Sequence, residues 1–248
     1  MTYLVYGESE IGCARRSNQD AIAWALSDDC ERFLAVLADG MGGHAGGDIA
    51  SQTAVDTCMA KLSILVTNAM LDKAEIIQAM NLAVGEANKQ LRLVREKEAS
   101  LSRMGTTLLI AYGVSDQVYI ANVGDSRCYR LSANASTQIT KDDTVAQAMV
   151  DDGSITKSEI PRVPFRNVLT KAVGTEPELC ADIQRLSLNK NEALILCSDG
   201  LTGAVDAKQW PAMIAPSATV KQQVECLIDE SINNKANDNV SVIIVRRQ

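Results

Sequence analysis

The chain has 248 residues, 46% hydrophobic but only 4% aromatic, so a sizeable core is available and must be mainly aliphatic. A net charge of −7 and an isoelectric point near 4.9 argue against nucleic acid and anionic membrane surfaces as partners. Seven scattered cysteines with no CxxC pair support neither a disulfide framework nor a zinc site, and most are expected to be buried small residues in a reducing cytoplasm.

The opening MTYLVYGESE has no basic region, long apolar stretch or cleavage site, and no later run approaches the roughly 18 apolar residues of a membrane span. Strands are expected near 2–8, 20–26 and 33–38. Glycines then cluster at 40, 42, 43, 46 and 47, followed by a helical pattern in DIASQTAVDTCMAKLSILV and a second helix near 73–96. The two helices should lie as antiparallel neighbours. Segments GTTLLIAYGV, QVYIANVGD, RCYRLS and STQIT, over 105–139, read as strands of an antiparallel meander with turns at GVSDQ and GDS. Residues 141–177 are less regular and read as short helices and a flap. Strands resume at 179–187 and 192–198, helix returns near 206–233 with breaks at Pro211 and Pro216, and a strand at 240–246 follows. Helices segregated from a mainly antiparallel sheet make this an α+β chain, expected to form one domain over 1–248.

Four aspartates punctuate those strands. Asp39 closes FLAVLADG, Asp125 follows VYIANVGD, Asp199 closes ALILCSDG and Asp238 opens NDNVSVIIV. One such aspartate suits an ordinary turn, but four suggest a sheet edge where acids converge. Converging carboxylates repel unless a cation neutralises them, and an oxygen-only donor set suits Mg²⁺, Mn²⁺ or Ca²⁺. The glycine loop at 40–47 fits a loose dinucleotide pattern, but Asp39 would place a carboxylate beside the pyrophosphate. Asp151-Asp152-Gly153 lacks the acid spacing of a calcium loop. In ARRSNQDA an arginine close to a metal cluster suggests a phosphate clamp.

Six segments in order carry a specific resemblance: R-x-x-N-Q-D at 15–20, ADGMGGHAGG at 38–47, MGTT at 104–107, NVGDSR at 122–127, LCSDGL at 196–201 and NDNVSV at 237–242. The chain resembles the metal-dependent serine/threonine protein phosphatases, the PPM (type 2C) family, especially its compact bacterial members. That resemblance implies a four-layer α-β-β-α sandwich, with a central antiparallel β-sandwich flanked by helices on both sides. It implies that Asp39 bridges two metals, Mn²⁺ or Mg²⁺, with the Gly40 carbonyl and Asp20 on one and Asp199 and Asp238 on the other. A third, weaker metal would use Asp125 with Asp199. Arg15, and not Arg16, is the implied phosphate ligand. The implied reaction is hydrolysis of phosphoserine and phosphothreonine by direct attack of a metal-bridging water or hydroxide, which needs no protein base.

His44, the only histidine, is read either as a general acid for the leaving oxygen or as a group orienting water or a metal-bound carboxylate. Where many relatives have Asp-His-Ser/Thr at the start of the flap, this chain has Asp142-Asp143-Thr144, which bears on peptide preference. The implied partners are phosphorylated proteins, substrates of or including a serine/threonine kinase, met by a monomeric cytoplasmic enzyme. A phosphatase dedicated to one anti-sigma-type partner is an alternative. A catalytically dead phosphoprotein-binding module would have lost metal acids, yet all are present.

Overall fold

In the computed structural model, which describes residues 2–42, 46–68, 71–215 and 217–248, strand β3 (Arg32–Met41) shows how the layers are built. Phe33, Ala35 and Leu37 point into one apolar cluster, while Leu34, Val36 and Ala38 point into another. Both faces of the strand are covered, which is why its sequence is an unbroken apolar run instead of an alternating one.

Around β3 lies one antiparallel sheet, in the order β2 (Asp20–Leu26), β3, β5 (Leu108–Val114), β6 (Gln117–Val123), β9 (Asp182–Ser187), with the short β4 (Gly105–Thr106) beside β3. The second antiparallel sheet runs β1 (Tyr3–Glu10), β11 (Val240–Arg247), β10 (Ala193–Cys197), β7 (Arg127–Leu131), β8 (Ser136–Gln138). Phe33, Leu109 and Ile120 of the first sheet share a cluster with Tyr3, Leu194, Leu196 and Ile243 of the second, so the sheets pack face to face.

Helices cover both outer faces. α1 (Gly47–Thr67) and α2 (Lys73–Lys97) pack on the β3–β5–β6 face through Leu62, Leu65, Met80 and Leu91. α4 (Asp199–Ala204), α5 (Trp210–Met213) and α6 (Val220–Asn233) pack on β10 and β11 through Leu201, Trp210, Val224 and Leu227. The expected helix–sheet–sheet–helix order is therefore present. Helix α2 begins with a reciprocal capping box between Asp72 and Glu75, a device that contributes about 1 kcal/mol. No helix among the described residues is long and apolar enough to cross a membrane.

Three sequence expectations need correction. The strands over 105–139 do not form one meander: β5 and β6 are a hairpin in the first sheet, but β7 joins the second. Gly124, at φ 99°, lets the chain leave β6 sharply and cross to the other sheet, which places Asp125 in the crossing. Helix α4 starts at Asp199 itself, directly after β10 and ahead of the helical stretch expected near 206–233. Most cysteines are not buried: Cys58, Cys128 and Cys197 are, whereas Cys13 and Cys180 are exposed.

Candidate metal centre

Strand register brings the acids together. Asp20 opens β2 directly opposite Asp39 near the end of β3, on the inward-facing parity of Ile22 and Leu37. β5 begins and β6 ends at this same edge, so Asp125 follows there. In the second sheet β10 ends opposite the beginnings of β7 and β11, which delivers Asp199 and Asp238. The two edges are joined by Ser241, whose hydroxyl donates to Asp20 Oδ2 across the sandwich at 2.7 Å.

The backbone of Asp39 is fixed on both sides. Its N–H donates to Thr107 Oγ1 (2.8 Å), and its carbonyl accepts from Thr106 Oγ1 (2.8 Å) and from the Thr107 N–H (2.9 Å). A Cβ at Gly40 would lie 2.0 Å from the Gly47 carbonyl oxygen, so only glycine allows the start of α1 to sit this close.

Electrostatics report the crowding. Burial first, then the charges of Asp20, Asp199, Asp125 and Asp238, hold the Asp39 carboxyl well above the ordinary carboxylate range. Burial pushes Asp20 up to about 6, assisted by Asp199 and Asp238 and opposed by hydrogen bonds from Ser241 and Ser198. Asp125 is pushed up to about 7 by burial, then by Asp199 and Asp142, against Arg127. Asp199 is raised by burial and then by Asp238, with Arg127 and Arg15 opposing.

Two carboxylate oxygens, Asp20 Oδ1 and Asp199 Oδ1, are buried without a hydrogen-bond partner among the described residues. An orphaned buried carboxylate oxygen is costly unless a cation meets it, so the donor set fits hard divalent ions. Among the described residues no three His, Cys, Asp or Glu side chains form a ready cage for a single ion. Ions held here would draw on carboxylate pairs, a backbone carbonyl and water, a manner of binding usual for Mg²⁺.

Arg15 lies at this edge, but it is paired: its Nη2 donates to Asp238 Oδ2 at 2.6 Å. Its side chain is half exposed, leaving donors free to face a ligand. Its loop is held by Asn239, which accepts from the Gln19 N–H and donates to the carbonyls of Ile11 and Ser17. Arg15→Ala should raise KM for a phosphopeptide and lower kcat/KM about tenfold or more, whereas Arg16→Ala should change either by less than about twofold. Steady-state kinetics decide; a larger defect at Arg16 would refute the register of this motif.

His44 lies outside the described residues, so both of its readings stay expectations. The flap contains α3 (Val145–Asp151); its two arms pair with each other at the bridge Thr144↔Leu169, and the bridge Thr106↔Val173 fastens it to the body beside β3. Asp143 accepts from the Gly124 N–H (3.1 Å) and pairs with Lys171 (3.4 Å), so it ties the flap to the turn that carries Asp125.

Several supporting residues had no role assigned from sequence. Ser9 on β1, Ser241 on β11 and Ser198 directly after β10 are neighbours, and with Asn18 they form a polar layer under Asp20. Thr107 bonds Ser126 (2.7 Å), and Arg127 grips both oxygens of Asp142. The available signal was a serine or threonine at an inward position of an otherwise apolar strand, close to an aspartate motif.

Residues 14–236 match the family described as Protein phosphatase 2C. The chain is also 34% identical over 236 residues to the serine/threonine phosphatase stp of Listeria innocua, covering 95% of this chain and 92% of that protein. The chain belongs to the protein phosphatase 2C family. By class this member is a serine/threonine phosphatase, and its fold agrees with solved relatives. The S. agalactiae serine/threonine phosphatase superposes with a TM-score of 0.91 at 25% identity, over 99% of this chain and 100% of that one. The catalytic domain of the serine/threonine protein phosphatase PstP, in complex with 2 manganese ions, gives 0.83 at 29% identity, over 98% and 97%. Asp238 falls just beyond the span of the family match, so for this 2C-family chain it is strand register that brings Asp238 to the other acids.

Proposed function

We propose that this phosphatase hydrolyses phosphoserine and phosphothreonine in proteins, with Mn²⁺ or Mg²⁺ held by the aspartate cluster. The observation that carries the reading is Asp39, whose carboxyl feels four other carboxylates while buried oxygens of Asp20 and Asp199 lack partners. Asp39 would bridge two ions, the Gly40 carbonyl and Asp20 would serve one, and Asp199 and Asp238 the other. Asp125 with Asp199 would hold a third, weaker ion. Such cations lower the pKa of water and neutralise charge that develops in an in-line displacement at phosphorus.

The chain's own residues do the rest. Arg15 binds and orients the phosphate, its fork matching two oxygens. The threonine pair 106 and 107 fixes the Asp39 backbone, and the serine layer holds one oxygen of Asp20 while leaving the other free. Cys197 lies near the cluster but is no nucleophile, because burial pushes its thiol up to about 12 and leaves it protonated at neutral pH. Water attacking directly, with no covalent phosphoenzyme, fits these residues best. The partners would be a serine/threonine kinase or its substrates, and free cysteines accord with a reducing cytoplasm.

Chelation tests the reading. Turnover of a phosphothreonine peptide should disappear after exhaustive removal of divalent ions and return with Mn²⁺ or Mg²⁺, while Zn²⁺, which favours nitrogen and sulfur, should restore little. Activity that persists in the metal-stripped protein would overturn it.

A further inference from the structure

Beside the aspartate cluster opens a cleft of about 690 Å³ that has Asp125 and Asp199 on one side and the flap on the other. The second half of the flap runs against the charge of the rest of the chain, whereas its first half carries Asp142, Asp143, Asp151 and Asp152. Residues 154–171 carry Lys157, Arg162, Arg166 and Lys171 against a single acid, Glu159, in a protein of net charge −7. Glu159 is already occupied, accepting from the N–H and hydroxyl of Thr156.

Two of the four cations lining the cleft are committed, Arg127 to Asp142 and Lys141 to Asp151, and Lys171 elsewhere in the flap pairs with Asp143. Lys157 and Arg166 line the cleft and form no ion pair among the described residues. Between Arg162 and Arg166, Phe165 is 78% exposed at a φ of 60°. A bulky aromatic held in left-handed backbone and presented to solvent is unfavourable for the fold alone. An arginine beside an exposed aromatic is, by contrast, the composition of a recognition surface.

We propose that the flap recognises a second anionic group on the substrate: Lys157 and Arg166 engage an acidic or phosphorylated side chain flanking the phosphoresidue being hydrolysed, and Phe165 packs on the same peptide. This rests on the phosphatase reading and names its substrate class. Without those two cations, a chain of this net charge would repel an acidic peptide as it approached. Carboxylate and phosphate offer the same chemistry to a guanidinium and an ammonium, and phosphate carries the larger charge.

The test uses the full chain with Mn²⁺ and a set of phosphothreonine peptides. One has neutral neighbours; the others carry a glutamate or a phosphoserine moved stepwise along either side. The anionic peptides should exceed the neutral one in kcat/KM by roughly five- to tenfold at their best position, mainly through KM, as two exposed ion pairs allow. The advantage should shrink in high salt. A larger gain with phosphoserine identifies phosphate as the preferred source; equal gains identify any anion.

In the Lys157→Gln/Arg166→Gln double variant the ratio of anionic to neutral peptide should fall to about one, with the neutral peptide reporting that the protein is folded and loaded. Equal rates on all peptides with the parent protein, or an advantage that survives the double variant, would overturn the proposal and leave those residues as solvated surface. Failure to hydrolyse any peptide, or p-nitrophenyl phosphate, would overturn the phosphatase reading beneath it.

Discussion

Asp39→Asn should lower kcat on a phosphothreonine peptide by about three orders of magnitude or more, because both proposed ions lose a charged ligand at once. The substitution is nearly isosteric, and the backbone at position 39 is held by Thr106 and Thr107, so the loop should keep its shape. Stability should move the other way. Asp39 is the carboxyl that feels Asp20, Asp199, Asp125 and Asp238, and a neutral amide removes that repulsion. The metal-free variant should therefore melt several degrees above the metal-free parent, as expected when a strained functional site is relaxed. Asp125→Asn should instead raise the Mn²⁺ concentration needed for half-maximal rate. Near-silent effects at both positions would mean the cluster is not the catalytic centre.

Removing divalent ions should make stability fall as pH rises from about 4 to about 7. The sign follows from the raised carboxyls: Asp20 moves from 3.8 to about 6 and Asp125 from 3.8 to about 7 on folding. Between those limits the folded state holds more protons than the unfolded chain, so unfolding is favoured as protons become scarce. Below the unfolded value both states are protonated and the penalty vanishes; above the folded values it is complete, on the order of a few kcal/mol. Cations that replace those protons should bind more tightly over the same window and restore the lost stability most at the alkaline end. Melting curves in chelator and in Mn²⁺ across the range decide the matter. A metal-free protein that gains stability from pH 5 to pH 8 would contradict the arrangement.

Much of the site was legible because its acids sit where apolar runs stop. A strand buried on both faces, such as 33–38, announces itself as continuous hydrophobic sequence, and the aspartate ending it is conspicuous. The ordered motifs then placed Asp20, Gly40, Asp125, Asp199 and Asp238 at one edge, and strand pairing brings them to that edge. What stayed hidden depended on partners distant in sequence. The periodicity of RCYRLS is the same whether it completes a hairpin or crosses to another sheet, so the turn at Gly124 was misread. The pairing of Arg15 with Asp238 spans 223 positions and leaves no local mark. Ser9, Ser198 and Ser241 are unremarkable singly and form a layer only when three strands align.

Strand β11 occupies an interior slot, between β1 at the start of the described chain and β10. Tyr3 pairs with Arg247, so that sheet cannot close until synthesis has passed residue 247. Contacts of such long sequence separation carry a large entropic cost before they are rewarded, and folds dominated by them form slowly. The same strand brings Asp238 to its neighbours, so completing the sheet and completing the proposed metal centre are one event. A nascent or truncated chain that stops before β11 has helices and the first sheet within reach, but not the full set of acids. Recovery of hydrolysis during refolding should thus lag behind helix formation and coincide with the slowest gain of β structure, which leaves no interval in which a half-made phosphatase acts on cellular phosphoproteins.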